Sequence, residues 1–211
     1  MKEIFRIVEH RASLSSYRAT HDEERAVQLE LLMESTKPKN LYPEWHYLIA
    51  TPFRYTPPFK NARFRPPFAR RNVFYGSNTA ETAFYEYAFH FMRERLHLKV
   101  ESGPEQRTQF CVKADDHHAQ YIESHSEYEE IMDKNNYEPS HQYVSDNPDV
   151  TFIVYPSCRD PLHRDNAAVL NIQHLAKEPT SETSIRLFYD YQKKQLTWIN
   201  SQLRVHWEEV A

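Results

Sequence analysis

The chain has two glycines, Gly76 and Gly103, among its 211 residues. Glycine is the residue that takes left-handed backbone, or lets main chains approach closely, at no steric cost. A phosphate-cradling loop or a dinucleotide-binding fingerprint needs several glycines in one short stretch, and two cannot supply either. One of the two falls in RNVFYGSNTAETAFYE, residues 71–86, between a short apolar run and a long apolar helical segment. Straight after Tyr75, Gly76 is expected to turn the chain sharply from strand to helix.

The length favours one domain over two and suffices for a real core. Hydrophobic residues make up 40% of the chain and aromatics 14%, so the core is expected to be rich in Tyr and Phe. Mean hydropathy is low, at -0.80, which marks a water-soluble globular composition rather than a disordered one. A net charge of -4 argues against a general nucleic-acid binder, whose footprint is a basic surplus. The two cysteines, Cys111 and Cys158, are too few for a disulfide scaffold. The start, MKEIFRIVEH, lacks the apolar stretch of a signal peptide, so reduced cytoplasmic thiols are expected. No apolar run approaches the length that crosses a membrane.

Local patterns give an order of elements. Residues 22–35, DEERAVQLELLMES, carry a helical apolar stripe behind an acidic first turn, and Lys37-Pro38 ends it. WHYLIATPFRY has the aromatic and β-branched content of a strand, stopped by the prolines of YTPPFKN. Residues 60–72 are basic and proline-rich and read as a loop. VFY is a short buried strand, and Asn78-Thr-Ala-Glu81 matches a helix N-cap with an acid three residues later. That helix runs to about Leu96. TQFCVKA reads as a strand, AQYIESHSEYEEIMDK and PSHQYVSD as helices, VTFIVYPS as a buried strand, and AAVLNIQHL continues the apolar alternation. SIRLFYDYQKKQLTWINSQ reads as a hairpin through Gln192, Lys193 and Lys194. With helices early and strands late, the class is mixed α+β.

Several chemistries are absent or weak. There is no CxxC pair and no HExxH, and the cluster Asp115, Asp116, His117, His118 and His125 reads as a polar loop, so no metal is expected. Ser157 and Cys158 in YPSCRD lack a GxSxG setting, and Ser157 is as well explained as a turn residue. Arg54, Arg63, Arg65, Arg70, Arg71 and Arg159 lie among Phe53, Tyr55, Phe64, Phe68 and Tyr75. Arginine forks pair with phosphates and aromatic faces stack on planar rings, which suits a nucleotide diphosphate; arginines solvating loops explain the set equally well. On a helical wheel Glu86, His90 and Arg93 lie opposite the packing stripe of Ala83, Phe84, Tyr87, Ala88 and Phe91. Glu86 is thus free to meet a ligand or merely water.

LIATPFRYTPPFKNARFR, VFYGSNTAETAFYE and IVYPSCRD, in that order from about Leu48 to Leu170, resemble the RES domain family, named for its arginine, glutamate and serine. The family comprises NAD-degrading toxins of RES–Xre toxin–antitoxin systems. The resemblance implies one domain over residues 1–211, with residues 1–47 as a helical extension packed on it. It also implies a mixed split sheet with flanking helices, like that of ADP-ribosyltransferase toxins. Arg54, Tyr75, Glu86 and Ser157 match its catalytic set, and Tyr55, Arg63 and Arg159 would bind NAD. Asn61-Ala62 replaces the family's usual glycine, which leaves Arg63 and Arg65 as alternatives. NAD is then the substrate and no further cofactor is implied, with water or phosphate as acceptor, as in a glycohydrolase or a phosphorylase. ADP-ribose transfer to a macromolecule, and an inactive NAD-binding module, are the alternatives. The implied partner is an Xre-type antitoxin, with no membrane or direct nucleic-acid contact, and a homo-oligomer is compatible. Gly76 would let Tyr75 and Glu86 face one cleft.

Overall fold

A strand forms where the sequence offered only an apolar start. The computed structural model describes residues 1–9, 41–55, 61–69 and 71–211, together with 22, 24, 25, 27–29 and 32. Within the segment 1–47 read as a helical extension, Lys2–Glu9 is β1, with Ile4 and Ile7 buried. The expected helix at 22–35 and its stop at Lys37-Pro38 lie largely outside the described residues, as do residues 56–60 and Arg70.

The other strands are Phe74–Ser77 (β2), Gly103–Ala114 (β3), Gln120–Tyr121 (β4), Phe152–Pro156 (β5) and Asp165–Val169 (β6). Ser181–Asp190 (β7), Gln195–Trp198 (β8) and Leu203–His206 (β9) complete them. They form one sheet in the order β4-β5-β6-β2-β1-β3-β7-β8-β9. The β4–β5 pair is parallel and the remaining pairs are antiparallel. The class is therefore α+β, but strands open the chain as well as close it. β7 and β8 make the expected hairpin, with Lys194 in left-handed backbone (φ 46°) at its turn, and β9 extends it.

WHYLIATPFRY is not a strand. Tyr47–Arg54 is a helix, α1, burying Leu48, Ile49, Ala50 and Phe53. The i, i+4 pair Ile49 and Phe53 meets Phe74 and Phe110 of the sheet in one apolar cluster, and that packing overrides the strand propensity. Pro52 removes one helical hydrogen bond, and the Thr51 hydroxyl donates to the Tyr47 carbonyl at 2.6 Å. The polar segment 119–134 is mostly not helical: it yields a 3-10 turn at Ile122–Ser124 and one α-turn, Tyr128–Ile131 (α2). Its buried residues, Ile122, Ile131 and Met132, are too sparse to make a continuous stripe.

The long helix Ala80–His97 (α3) is capped by Thr79, one residue beyond the expected Asn78. The Thr79 hydroxyl accepts from the Thr82 amide at 3.1 Å. Asn78 is still held by the sheet, its amide donating to the Asp165 carbonyl at 2.9 Å. Glu138–Asp146 (α4) is the expected short helix, and Trp207–Val210 (α5) follows β9 directly.

The alternation of the strands gives each face its own cluster. Ile4, Phe110, Val112, Phe152 and Val154 pack on one face with α1. On the other, Phe84, Ala88 and Met92 of α3 pack with Leu187, Leu196 and Val205, while Ile153, Tyr155 and Phe64 form a separate cluster. Full burial of Phe84 and Met92 stabilises the fold by about 1.5–3 kcal/mol each. Between these two clusters the sheet has its weakest seam, because β1 and β2 share one registered pair, Phe5↔Ser77.

Gly76 makes no turn. It lies inside β2, without left-handed backbone. A methyl group there would stand 2.3 Å from Ile4 Cγ2 and 3.0 Å from the Phe5 carbonyl oxygen. The missing side chain lets β1 close on β2 at that seam. Among the described residues the left-handed positions fall on other residue types, at Phe64, Phe68, Lys99, His163, Lys194 and Gln202.

Candidate active site

A cavity of about 580 Å³ opens at the seam, bounded by β1, β2, α3 and the loops after α1 and β5. That volume falls in the range of small-molecule sites, roughly 300–1,000 Å³. Glu86 enters it from α3, on the face away from the buried Phe84 and Ala88. His90 and Arg93, one and two turns further on, are exposed at its rim. The polar stripe of the helical wheel is thus a cavity wall.

Three polar residues gather round the Glu86 carboxylate. Its Oε1 accepts from the Ser157 hydroxyl at 2.7 Å and from the Asn166 amide at 2.6 Å. Ser77 donates to Asn166 Oδ1 at 2.7 Å. Ser157 Oγ also accepts from the backbone amides of Arg159 at 3.0 Å and Asp160 at 2.9 Å, closing the turn after β5. Asp160 is buried and pins that turn to the start of α3. It accepts from Thr82 at 2.7 Å, from Arg164 at 2.6 Å and from the Leu162 amide at 3.0 Å. Burial works to raise its carboxyl, but these donors prevail and hold it below the usual range.

Tyr75 donates its hydroxyl to the Arg63 carbonyl, and burial pushes the phenol well up, with Arg65 opposing. It is therefore a neutral wall of the cavity rather than a base. Burial likewise raises the Tyr155 phenol and the Cys158 thiol, so Cys158 is a poor thiolate nucleophile. Arg63 lines the cavity and Arg65 does not. The Arg63 guanidinium spans the carbonyls of Ile131 at 2.5 Å and Asp133 at 3.0 Å, with the Tyr137 ring 5.0 Å away. It sits in a tight turn in which the Ala62 and Arg65 amides donate to each other's carbonyls at 3.2 and 2.9 Å. The left-handed residue of that turn is the buried Phe64 (φ 61°), not Ala62.

Arg159 also lines the cavity. Its guanidinium lies 3.6 Å from the Phe89 ring centroid and donates to the Val210 carbonyl at 2.6 Å, so α5 takes up part of its capacity. Arg71 bonds the carbonyls of Pro148 and Val150 and braces a loop. Arg54 and Tyr55 stand together at the end of α1, the guanidinium 5.7 Å from the ring, and neither lines the cavity. The structure thus brings Tyr75, Glu86, Ser157, Arg63 and Arg159 to one place, and Arg54 and Tyr55 to another.

Sequence reasoning passed over one cation. Arg6, from β1, lines the cavity beside Tyr75. Its guanidinium stacks 4.9 Å from the Phe74 centroid, and its Nη1 is closed to water without a hydrogen-bond partner among the described residues. Burial pulls it down to about 10, with Tyr75 opposing. The only signal was an arginine between apolar residues in IFRIV, and its setting became visible only when β1 took a central place in the sheet.

A family model described as RES domain matches residues 38–190, more than half of the chain. The chain belongs to the RES domain family. RES domains are associated with toxin–antitoxin systems, and the matched range contains Glu86, Ser157, Asn166, Tyr75 and Arg63. No curated protein resembles the chain at a significant level. Arg6 lies before the matched RES range, while β8, β9 and α5 lie beyond it. Among the described residues no helix is long and apolar enough to cross a membrane, and no group of His, Cys, Asp and Glu could hold a metal ion.

Proposed function

We propose that this RES domain binds NAD in the cavity and cleaves its nicotinamide–ribose bond. The observation that carries the reading is one cavity holding a hydrogen-bonded carboxylate, Glu86, together with a half-buried cation, Arg6, whose Nη1 has no hydrogen-bond partner among the described residues. A guanidinium nitrogen shut away from water without an acceptor is costly, and an anionic ligand such as a diphosphate relieves that cost. Arg63 adds positive charge, and Tyr75, Tyr137 and Tyr155 offer ring faces to a flat base.

In the reaction the C1′–N bond breaks and its electron pair leaves on the nicotinamide nitrogen, which turns from cationic to neutral. No general acid is needed. The ribosyl carbon passes through an oxocarbenium-like state, as in glycoside cleavage. Glu86 faces that developing positive charge in a partly enclosed site, where a fixed carboxylate acts strongly. Water or phosphate then forms the new bond to C1′ and releases its proton to solvent. The reaction belongs in the cytoplasm, where NAD is held. A toxin of this kind needs restraint, and an Xre-type antitoxin covering the cavity would provide it.

The test is nicotinamide release by purified protein, with and without phosphate. Wild type is expected to release it and Glu86→Ala to lose at least about 100-fold in rate. Equal rates would remove Glu86 from the mechanism, and no release by wild type would end the reading. NAD labelled in the ADP-ribose part separates small products from transfer onto a macromolecule.

A further inference from the structure

The arrangement around Glu86 divides its two oxygens. Oε1 accepts from both Ser157 and Asn166, and among the described residues no hydrogen bond falls on Oε2. Both donors are neutral, so they orient the carboxylate without cancelling its charge. A carboxylate oxygen can only accept, so the Asn166 NH₂ must face Glu86 and its Oδ1 must face away. Ser77 fixes that choice by donating to Oδ1. Ser77 and Asn166 are each 2% exposed, one at the end of β2 and one in β6, on adjacent strands registered as Ser77↔Asn166. The backbone ladder therefore sets the amide, and the amide sets the carboxylate.

Ser157 fits the same pattern. A hydroxyl has one proton and two lone pairs. Its proton goes to Glu86, and its oxygen accepts from the amides of Arg159 and Asp160. Its hydrogen-bonding capacity is spent inside the protein, which leaves none for a ribose hydroxyl or an acceptor.

We propose that Asn166, locked by Ser77, is a positioning residue for Glu86, and that with Ser157 it pins Oε1 so that Oε2 meets the ribosyl C1′. This rests on the NAD-cleavage reading. Misplacing a reacting group by about 1 Å can cost on the order of 100-fold in rate, while substrate binding elsewhere in the cavity persists.

The experiment measures nicotinamide release and NAD binding for wild type, Asn166→Ala and Ser77→Ala, alongside crystal structures of wild type and both variants. Asn166→Ala is expected to lower kcat about 10–100-fold with the Kd for NAD within about threefold. Ser77→Ala, which removes one hydroxyl and leaves the fold in place should Asn166→Ala not fold, is expected to give a smaller loss of the same kind. In both variants Glu86 is expected to leave its wild-type rotamer. A merely structural role would weaken NAD binding along with turnover, and that result, or an unchanged kcat, overturns the proposal. Should wild type release no nicotinamide, the NAD reading fails on its own. The crystal structures then decide the positioning: a displaced Glu86 supports it, and an unmoved one overturns it.

Discussion

Replacing Arg6 by methionine should make the protein more stable and less able to hold its ligand. In the folded chain burial pulls the guanidinium well below the usual arginine range, to about 10, so at neutral pH its charged form is held against a cost on the order of 3 kcal/mol. The sign follows from linkage. A cation whose folded value is lowered binds its proton less tightly in the folded state. The contribution of this group to stability therefore rises with pH only from about 10 up to the ordinary arginine value, and the cost is present in full below that window. That window is too alkaline for a clean titration, so substitution is the practical probe. Methionine keeps an apolar stem on the Phe74 ring but forfeits the cation–π contact, about 0.5–2 kcal/mol, which leaves a net gain of about 1–2 kcal/mol. At roughly 2–4 °C per kcal/mol for a domain of this size, Tm should rise by about 2–8 °C. Affinity for NAD should fall about 10-fold or more, since a charge-assisted hydrogen bond contributes roughly 1.5–3 kcal/mol. Differential scanning calorimetry and titration calorimetry measure the two effects. A lower Tm with unchanged NAD affinity would show that Arg6 is an ordinary brace of the sheet and refute the reasoning.

Two further substitutions probe the frame of the site. Gly76→Ala sets a methyl group against Ile4 and the Phe5 carbonyl, and chemical denaturation should show a loss of about 1–3 kcal/mol; a neutral result would mean that β1 can withdraw freely. Asp160→Asn should cost about 1–3 kcal/mol near neutral pH, because the charge-assisted hydrogen bond from Arg164 is lost while Glu81 still faces that guanidinium. The Asp160 carboxyl is depressed in the folded state, so its stabilisation is present above the usual aspartate value of 3.8 and fades below it. The variant's stability should therefore fall less steeply than wild type as pH drops below about 4, and parallel curves would deny Asp160 that role.

The sequence alone carried the α+β class, the helix bearing Glu86, the buried strand leading into Ser157 and the family itself. These features rest on local signals: a 3.6-residue apolar period, a buried run of β-branched and aromatic residues, and ordered short motifs. It misread WHYLIATPFRY because propensity is a weak prior, overridden here when Ile49 and Phe53 packed on Phe74 and Phe110. It misread Gly76 because an open space required by Ile4, more than seventy residues away, leaves no mark on neighbouring residues. The same reason hid Arg6, Ser77 and Asn166. Each is an ordinary residue in its own strand and gains meaning only from partners on other strands and on α3. Local sequence thus determined which elements form and which residue types they carry. The order of strands, a long-range property, decided that one seam of the sheet would gather a half-buried cation and a pinned carboxylate into one cavity.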